Sequence, residues 1–283
     1  MTRSSARSRP LLVIDGDSLA HRAYHGLPKT ISRAGGRPAG ALVGFANFLL
    51  RLWQTEEPRG VVVGWDTLDV PTYRHQALAV YQAGRVFDDA LLEQLAMLPE
   101  LVEAFGFRAA RAPGFEADDF LAAAATAEEE HGGTALVVTS DRDSFQLVSD
   151  RTTILRPVRG VFELDRVGPA RVRELYGVEP EQVPDFIALR GDPSDKIPGA
   201  RGVGPKTAAS ILGEYGTLEA ALEAGRFAAE AEDLRLFRRI ATLDASAPLP
   251  SLSDQTPTWA EASSLARKWG MRALAERLGQ LAS

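Results

Sequence analysis

Nine acidic residues lie at points in the chain where a folded sheet would collect them. Asp15 closes the apolar run LLVI (11–14), Asp66 follows VVVGW (61–65), and Asp141 and Asp143 follow ALVVTS (135–140). Glu116, Asp118 and Asp119 sit in GFEADDF, and Asp192 and Asp195 stand three apart in GDPSD. At helical spacing Glu116 and Asp119 share a face, while Asp118 points elsewhere. Carboxylates about 4 Å apart repel by roughly 4 kcal/mol per pair at an effective dielectric near 20. Nine together therefore either keep several protons or share divalent cations, and an all-oxygen set favours Mg²⁺ or Mn²⁺. The chain has no cysteine, which removes disulfides, thiolate catalysis and Cys-ligated zinc or iron–sulfur sites. Four histidines remain, His21, His25, His75 and His131, and each reads as a surface or packing group. Every acidic cluster also has an ordinary structural reading. Asp17, nearer the first helix than Asp15, reads as its N-cap or as a partner of a metal-site residue. Acids in EADD complement a helix dipole, and SDRDS is a turn sequence. Coincidence favours the chemical reading, because these clusters fall where one sheet edge would gather them.

The elements that would do the gathering are legible in outline. LLVI (11–14), VVVGW (61–65), FRAAR (107–111) and ALVVT (135–139) alternate with helical patterns at 18–25, 39–55 and Glu116–His131. That alternation implies an α/β fold with a mostly parallel central sheet and flanking helices. In such sheets ligands bind beyond the carboxyl ends of the strands. Residues 151–164 read as two short strands around a turn at a sheet edge, and from 166 onward the pattern is helical only. The expected division is a disordered tail at 1–10, an α/β core at 11–180 and a helical region at 181–283. Its last element, Trp259–Leu281, reads as one long packing helix. Residues 68–98 are too long for a tight connection and suggest a functional excursion. Net charge is −6 over 283 residues; setting the nine acids aside leaves +3, so the acidic total does not count against a nucleic-acid partner. No apolar stretch approaches membrane-spanning length, and a cytoplasmic protein without membrane association is expected.

IPGARGVGPKTAASIL (197–212) sets Gly202-Val203-Gly204 before Pro205 and a helix pattern, a turn whose free N–H groups can hold a phosphate. Together with GFEADD and TSDRD, this stretch resembles the 5′-nuclease, or flap endonuclease, family, and most closely its branch formed by the 5′→3′ exonuclease domains of bacterial DNA polymerase I. The resemblance spans roughly 11–245. It implies hydrolysis of phosphodiesters in branched or nicked DNA with a 5′ single-stranded end, using two or more Mg²⁺ or Mn²⁺ ions and leaving 5′-phosphates. By the same resemblance Asp15, Asp66, Glu116 and Asp118 form a first metal group, Asp141, Asp143, Asp192 and Asp195 a second, with Asp119 beside both. Arg22 in RAYH would touch the scissile-side phosphate. Residues 68–98 would be a helical arch bearing Arg74, Tyr81 and Arg85, with Gln82 where a lysine is usual. Gly202, Gly204, Lys206 and Thr207 would belong to a helix-hairpin-helix that grips the duplex, with K⁺ at the hairpin. The resemblance leaves protein partners open; a monomer is expected. Two rival readings stand beside it. One is a junction-binding protein without catalysis. The other is a haloacid-dehalogenase-type phosphatase with Asp15 as nucleophile.

Overall fold

The computed structural model of the chain describes residues 9–67, 70–84, 87–159 and 163–282. Strands β1 (Leu11–Asp15), β2 (Gly60–Gly64) and β4 (Ala135–Val138) are buried along their whole length. A parallel sheet covered on both faces requires such continuous apolar runs. Successive side chains enter opposite layers: Leu11, Val13 and Val137 join one core, Leu12, Ile14 and Val138 the other. With β3 (Arg108–Ala110), β5 (Thr152–Arg159) and β6 (Glu163–Val167), the sheet order is β3-β2-β1-β4-β5-β6. All pairings are parallel except β5–β6, the expected edge hairpin. The chain moves outward from β1 to β3 and then crosses back to β4. The strand order therefore reverses between β1 and β4, where open α/β sheets form their ligand crevice.

Helices α1 (Gly16–Gly26), α2 (Gly40–Glu56) and α4 (Asp89–Ala104) cover one face. A short α3 (Tyr73–Ala77) lies in the connection after β2. On the other face α5 (Ala117–Glu130) shares a core with α6 (Pro169–Tyr176), α7 (Val183–Arg190), α8 (Pro205–Tyr215), α9 (Leu218–Glu223) and α10 (Ala231–Ala241). The remaining pair, α11 (Trp259–Lys268) and α12 (Arg272–Leu281), returns to the first face, where Ala262, Ala266 and Leu274 join the α2–α4 core. The residues expected as one C-terminal helical region thus divide between both sides of the sheet.

Three expectations change. The 259–281 run is two helices, because Gly270 at φ +80° breaks it in a conformation suited to glycine. The 68–98 excursion is shorter than its sequence suggests. Leu91, Leu95 and Leu98 are buried, and Gln94 Oε1 accepts the Ala41 N–H at 2.9 Å, so α4 belongs to the core from Asp89 onward. Of the expected N-terminal tail, residues 1–8 lie outside the described residues; Arg9 is tied down, donating to the carbonyls of Glu57 and Pro58.

Close approach of β2 to α5 fixes where the acids of α5 begin. A Cβ on Gly64 would lie 2.7 Å from the Ala117 carbonyl oxygen and 3.1 Å from Phe120 Cβ. Gly64→Ala is expected to destabilise the fold by about 1–3 kcal/mol through overpacking. At roughly 2–4 °C per kcal/mol, thermal denaturation reads this as a Tm several degrees lower. A Tm equal to wild type would show that α5 yields freely at its N-terminus.

Candidate metal centre

Asp15 ends β1 and caps α1. Its Oδ1 accepts the Ser18 N–H at 2.9 Å, and its Oδ2 accepts the Thr139 hydroxyl at 2.7 Å across the β1/β4 reversal. Of the two roles expected for Asp17, the cap falls to Asp15, because the helix starts at Gly16, two residues before the expected 18. Asp17 Oδ2 instead accepts the Asp66 N–H at 2.8 Å, and Asp66 Oδ1 accepts the Ala117 N–H at the start of α5 at 2.7 Å. After β4, Thr139 Oγ1 accepts the Asp141 N–H, and Asp141 Oδ1 accepts the Asp143 N–H. Asp192 and Asp195 are presented by the loop that closes between Gly191 (φ +78°) and Gly199 (φ +76°). A Cβ on Gly199 would stand 2.4 Å from the Gly191 nitrogen, so the crossing excludes any side chain there.

These residues line one cleft of about 970 Å³: Asp15, Asp17, Asp66, Glu116, Asp118, Asp141, Asp143, Asp192 and Asp195, with Asp88 at the rim. Eight of the nine expected acids meet there. Asp119 does not. It is 0% exposed and bound through both oxygens to Arg74, at 2.9 and 2.7 Å. It also accepts the N–H groups of Glu116 and Asp244. As the N3 residue of a capping box it bends back over the helix start, so Asp118 faces the cleft instead, reversing the expectation from helical spacing.

Crowding and burial act on the protons. Burial, then Asp66 and Asp141, push the Asp15 carboxyl up to about 7 against its hydrogen bonds from Ser18 and Thr139. Burial raises Asp17 with help from Asp66, and raises Asp118 with help from Asp141, Asp15 and Asp66. Asp143 is raised by burial and by Asp141, Asp192 and Asp195. Glu116 rises through burial despite Arg74 nearby. Asp141 acts on members of both expected groups and joins them electrostatically. Ten carboxyl groups face two arginines, Arg142 and Arg190, within the lining. Among the described residues no three His, Cys, Asp or Glu side chains are drawn tightly enough to clasp an ion by themselves. The oxygens line an open cleft rather than a closed cage. Their chemistry fits hard divalent cations, which take oxygen ligands and relieve like-charge repulsion.

Several expected DNA contacts are engaged elsewhere. Arg74 is 1% exposed and, besides Asp119, donates to the carbonyls of Ile240 and Thr242; it is an internal tie between α3, α5 and the end of α10. Its partner lies 45 residues away, beyond any local signal. Arg22 donates to the Ser140 hydroxyl and the Pro157 carbonyl. Tyr81 is buried, and its hydroxyl donates to Glu116 Oε2 at 3.0 Å, while Thr72 donates to Oε1 at 2.9 Å. Gln82 donates to Tyr81 and to Asp195 Oδ1 at 3.2 Å. Arg85 lies outside the described residues. Gly202, Gly204, Lys206 and Thr207 are exposed in the turn before α8 and its first residues, with Gly202 at φ +74°. His21 and His25 line the cleft, and His75 packs against Tyr81.

Two outcomes follow. Arg74→Met leaves Asp119 buried and unpaired, and a loss of about 3–5 kcal/mol in chemical denaturation is expected; a loss under 1 kcal/mol would mean the pair is solvated. The second concerns pH. A carboxyl raised in the fold holds a proton that the unfolded chain releases, so its stabilisation is present below about pH 4 and is lost as pH rises through about 7. Metal-free protein should therefore melt at lower temperature at pH 8 than at pH 5.5. Saturating Mn²⁺ at pH 8 should raise Tm, by about 2.7 kcal/mol of stabilisation at one hundred times Kd. Equal melting at both pH values in chelator would contradict the crowding.

Two family descriptions match adjoining stretches of the chain: "5′-3′ exonuclease, N-terminal resolvase-like domain" over residues 10–177, and "5′-3′ exonuclease, C-terminal SAM fold" over 178–263. The chain is 44% identical over 223 residues to DNA polymerase I of Mycobacterium tuberculosis, covering 78% of this chain and 25% of that protein. It is 40% identical over 214 residues to the thermostable DNA polymerase I of Thermus aquaticus, covering 75% and 25%. It thus spans about a quarter of the length of these relatives. Among solved structures, a zinc-bound T5 5′-exonuclease superposes with a TM-score of 0.70 at 18% identity, covering 97% of this chain and 100% of that one. Flap endonuclease-1 from Methanococcus jannaschii gives 0.62 at 14%, covering 96% and 92%. With its sheet order, its carboxylate cleft and both family descriptions in agreement, the chain belongs to the 5′-3′ exonuclease family of phosphodiester-hydrolysing nucleases.

Proposed function

We propose that the protein is a divalent-metal-dependent 5′→3′ exonuclease and flap endonuclease acting on branched or nicked DNA with a 5′ single-stranded end, leaving 5′-phosphates. The observation that carries this reading is the cleft itself, where acids from six separate chain segments converge at the β1/β4 reversal without enough basic side chains to balance them. Asp15, Asp66, Glu116 and Asp118 would hold one part of the metal set, and Asp141, Asp143, Asp192 and Asp195 the other; two or more Mg²⁺ or Mn²⁺ ions, when bound, would supply an activated water and charge relief at the leaving 3′ oxygen. The side chains position rather than attack. Asp15 has one oxygen on Ser18 and the other on Thr139, which fixes its orientation and argues against its use as a covalent nucleophile. Thr72 and Tyr81 orient Glu116, and Gln82 orients Asp195.

Recognition falls to backbone phosphates, and therefore to DNA shape rather than base sequence. The exposed turn at Gly202–Gly204, with Lys206 and Thr207 behind it, presents N–H groups at the start of α8 for a duplex phosphate, and K⁺ at this turn is part of the proposal. The duplex grip belongs to the α7–α10 part of the 181–283 region, and the stretch from 70 to 88 is the arch past which the single strand runs. The protein is proposed to act as a cytoplasmic monomer. Among the described residues no helix is long and apolar enough to cross a membrane.

A labelled 5′-flap duplex with Mn²⁺ or Mg²⁺ tests the reading. Scission is expected with either ion, none is expected in chelator, and Asp141→Ala should lower the rate by at least about 10²-fold, since it bears on both groups. Binding without scission under both ions would leave the non-catalytic junction-binding reading.

A further inference from the structure

The cleft holds a basic group that its carboxylates do not use. Arg142 stands between Asp141 and Asp143, whose backbones are fixed by the Thr139 and Asp141 side chains. Its two neighbours face inward, whereas Arg142 is exposed while still lining the cleft. Among the described residues its guanidinium forms no ion pair or hydrogen bond. Arg190, the other arginine of the lining, is committed: it pairs with Asp192 at 3.3 Å and lies over the rings of Tyr176 and Phe186. An arginine beside so many carboxylates that pairs with none of them extends toward the mouth.

Its position gives a direction. Three residues after Arg142, Phe145 packs against Tyr176, the last residue of α6, with ring centroids 5.4 Å apart, and a Cβ on the next residue, Gly177, would be 3.4 Å from Ala209 Cβ on α8. The 3₁₀ turn that follows Arg142 is anchored to the far end of α10, where Gln146 donates to the Ala241 carbonyl and accepts the Leu243 N–H. Arg142 therefore stands on the side of the cleft whose supporting turn packs against α6 and α10, next to the helix that carries the glycine turn. With every carboxyl ionised, ten carboxylates and two arginines give the lining a formal charge of minus eight, and two divalent cations would still leave it at minus four. An incoming phosphate needs a cation that the cleft has not already neutralised.

We propose that Arg142 takes a backbone phosphate of the duplex strand between the metal centre and the turn before α8, and so sets the register of the cut. The proposal rests on the nuclease reading above. Arginine suits the role because its planar donors meet a phosphate bidentately. Binding of a 5′-flap duplex is measured by anisotropy in Ca²⁺ over a range of salt, for wild type, Arg142→Ala and Arg142→Lys. Arg142→Ala is expected to weaken binding about tenfold at 0.1 M salt and to flatten the slope of log K against log salt by about 0.9; Arg142→Lys retains the slope. Calorimetric Mn²⁺ affinity should stay within about twofold, and with Mn²⁺ the Arg142→Ala cuts should spread over neighbouring phosphodiesters. An unchanged Kd and slope would overturn the proposal, as would a parallel loss of Mn²⁺ affinity, which would make Arg142 part of the metal cradle. Wild type that binds but does not cut would overturn the nuclease reading while leaving the Arg142 comparison intact, and wild type that does not bind would overturn both.

Discussion

Gathering like charges is the constraint on which the rest of the molecule depends. The acids are held by their backbones, and the groups holding them are largely amides. Asp15 accepts from the first turn of α1 and Asp66 from the first turn of α5, so two helix N-termini point their partial positive charge at the cluster. Asp17 and Asp141 each accept a backbone N–H from another acid of the cleft, Asp66 and Asp143. Such bonds favour the charged form, while burial opposes it more strongly, which is why Asp15 remains raised despite two hydrogen bonds. The cluster is poised between protons and cations, and the buried sheet beneath it supplies the rigidity that repulsion would otherwise undo.

The segment between β2 and α4 is bound into the same balance. Its inner end is fixed by Arg74, whose ion pair with Asp119 also reaches Glu116, Asp244 and the carbonyls ending α10. A buried pair of this kind adds little net stability compared with apolar packing, but it tolerates one arrangement of its partners. Further along, Thr72 and Tyr81 hold Glu116 from the first carboxylate group, and Gln82, in a left-handed backbone at φ +50°, holds Asp195 from the second. One stretch of chain therefore touches both groups, and its placement cannot change without altering the presentation of their oxygens.

Strand ends were the readable part of the sequence. Buried parallel strands are apolar throughout, so an acid directly after such a run has few places to lie except beyond the sheet, and Asp15, Asp66 and Asp141 follow from that rule. The exchange of Asp17 for Asp119 was not readable from spacing. Helical periodicity places residues on faces but does not say that an N3 side chain will fold back onto its own N-cap, nor that an arginine 45 residues earlier will claim it. Arg74 and Tyr81 were recognisable as special residues, yet their partners come from other segments, and only the fold could show them turned inward. The break at Gly270 did carry a local signal, a glycine behind a basic last turn in ARKWG, which the strong apolar pattern on either side obscured.

Net acidity and a nucleic-acid partner are compatible here because the charge is segregated. With the ten lining carboxylates set aside, the remaining chain carries +4 against a total of −6. An anionic strand approaching the bare cleft would meet repulsion at the place where it must react, and cations in the cleft reverse that local sign. On the proposed function, ion binding and DNA binding are then linked: each strengthens the other by the same free energy, since the coupling is reciprocal. The crowding that costs stability in the metal-free protein is thus the same feature that makes DNA affinity depend on the ions, and no separate device is needed to delay engagement until the cleft is loaded.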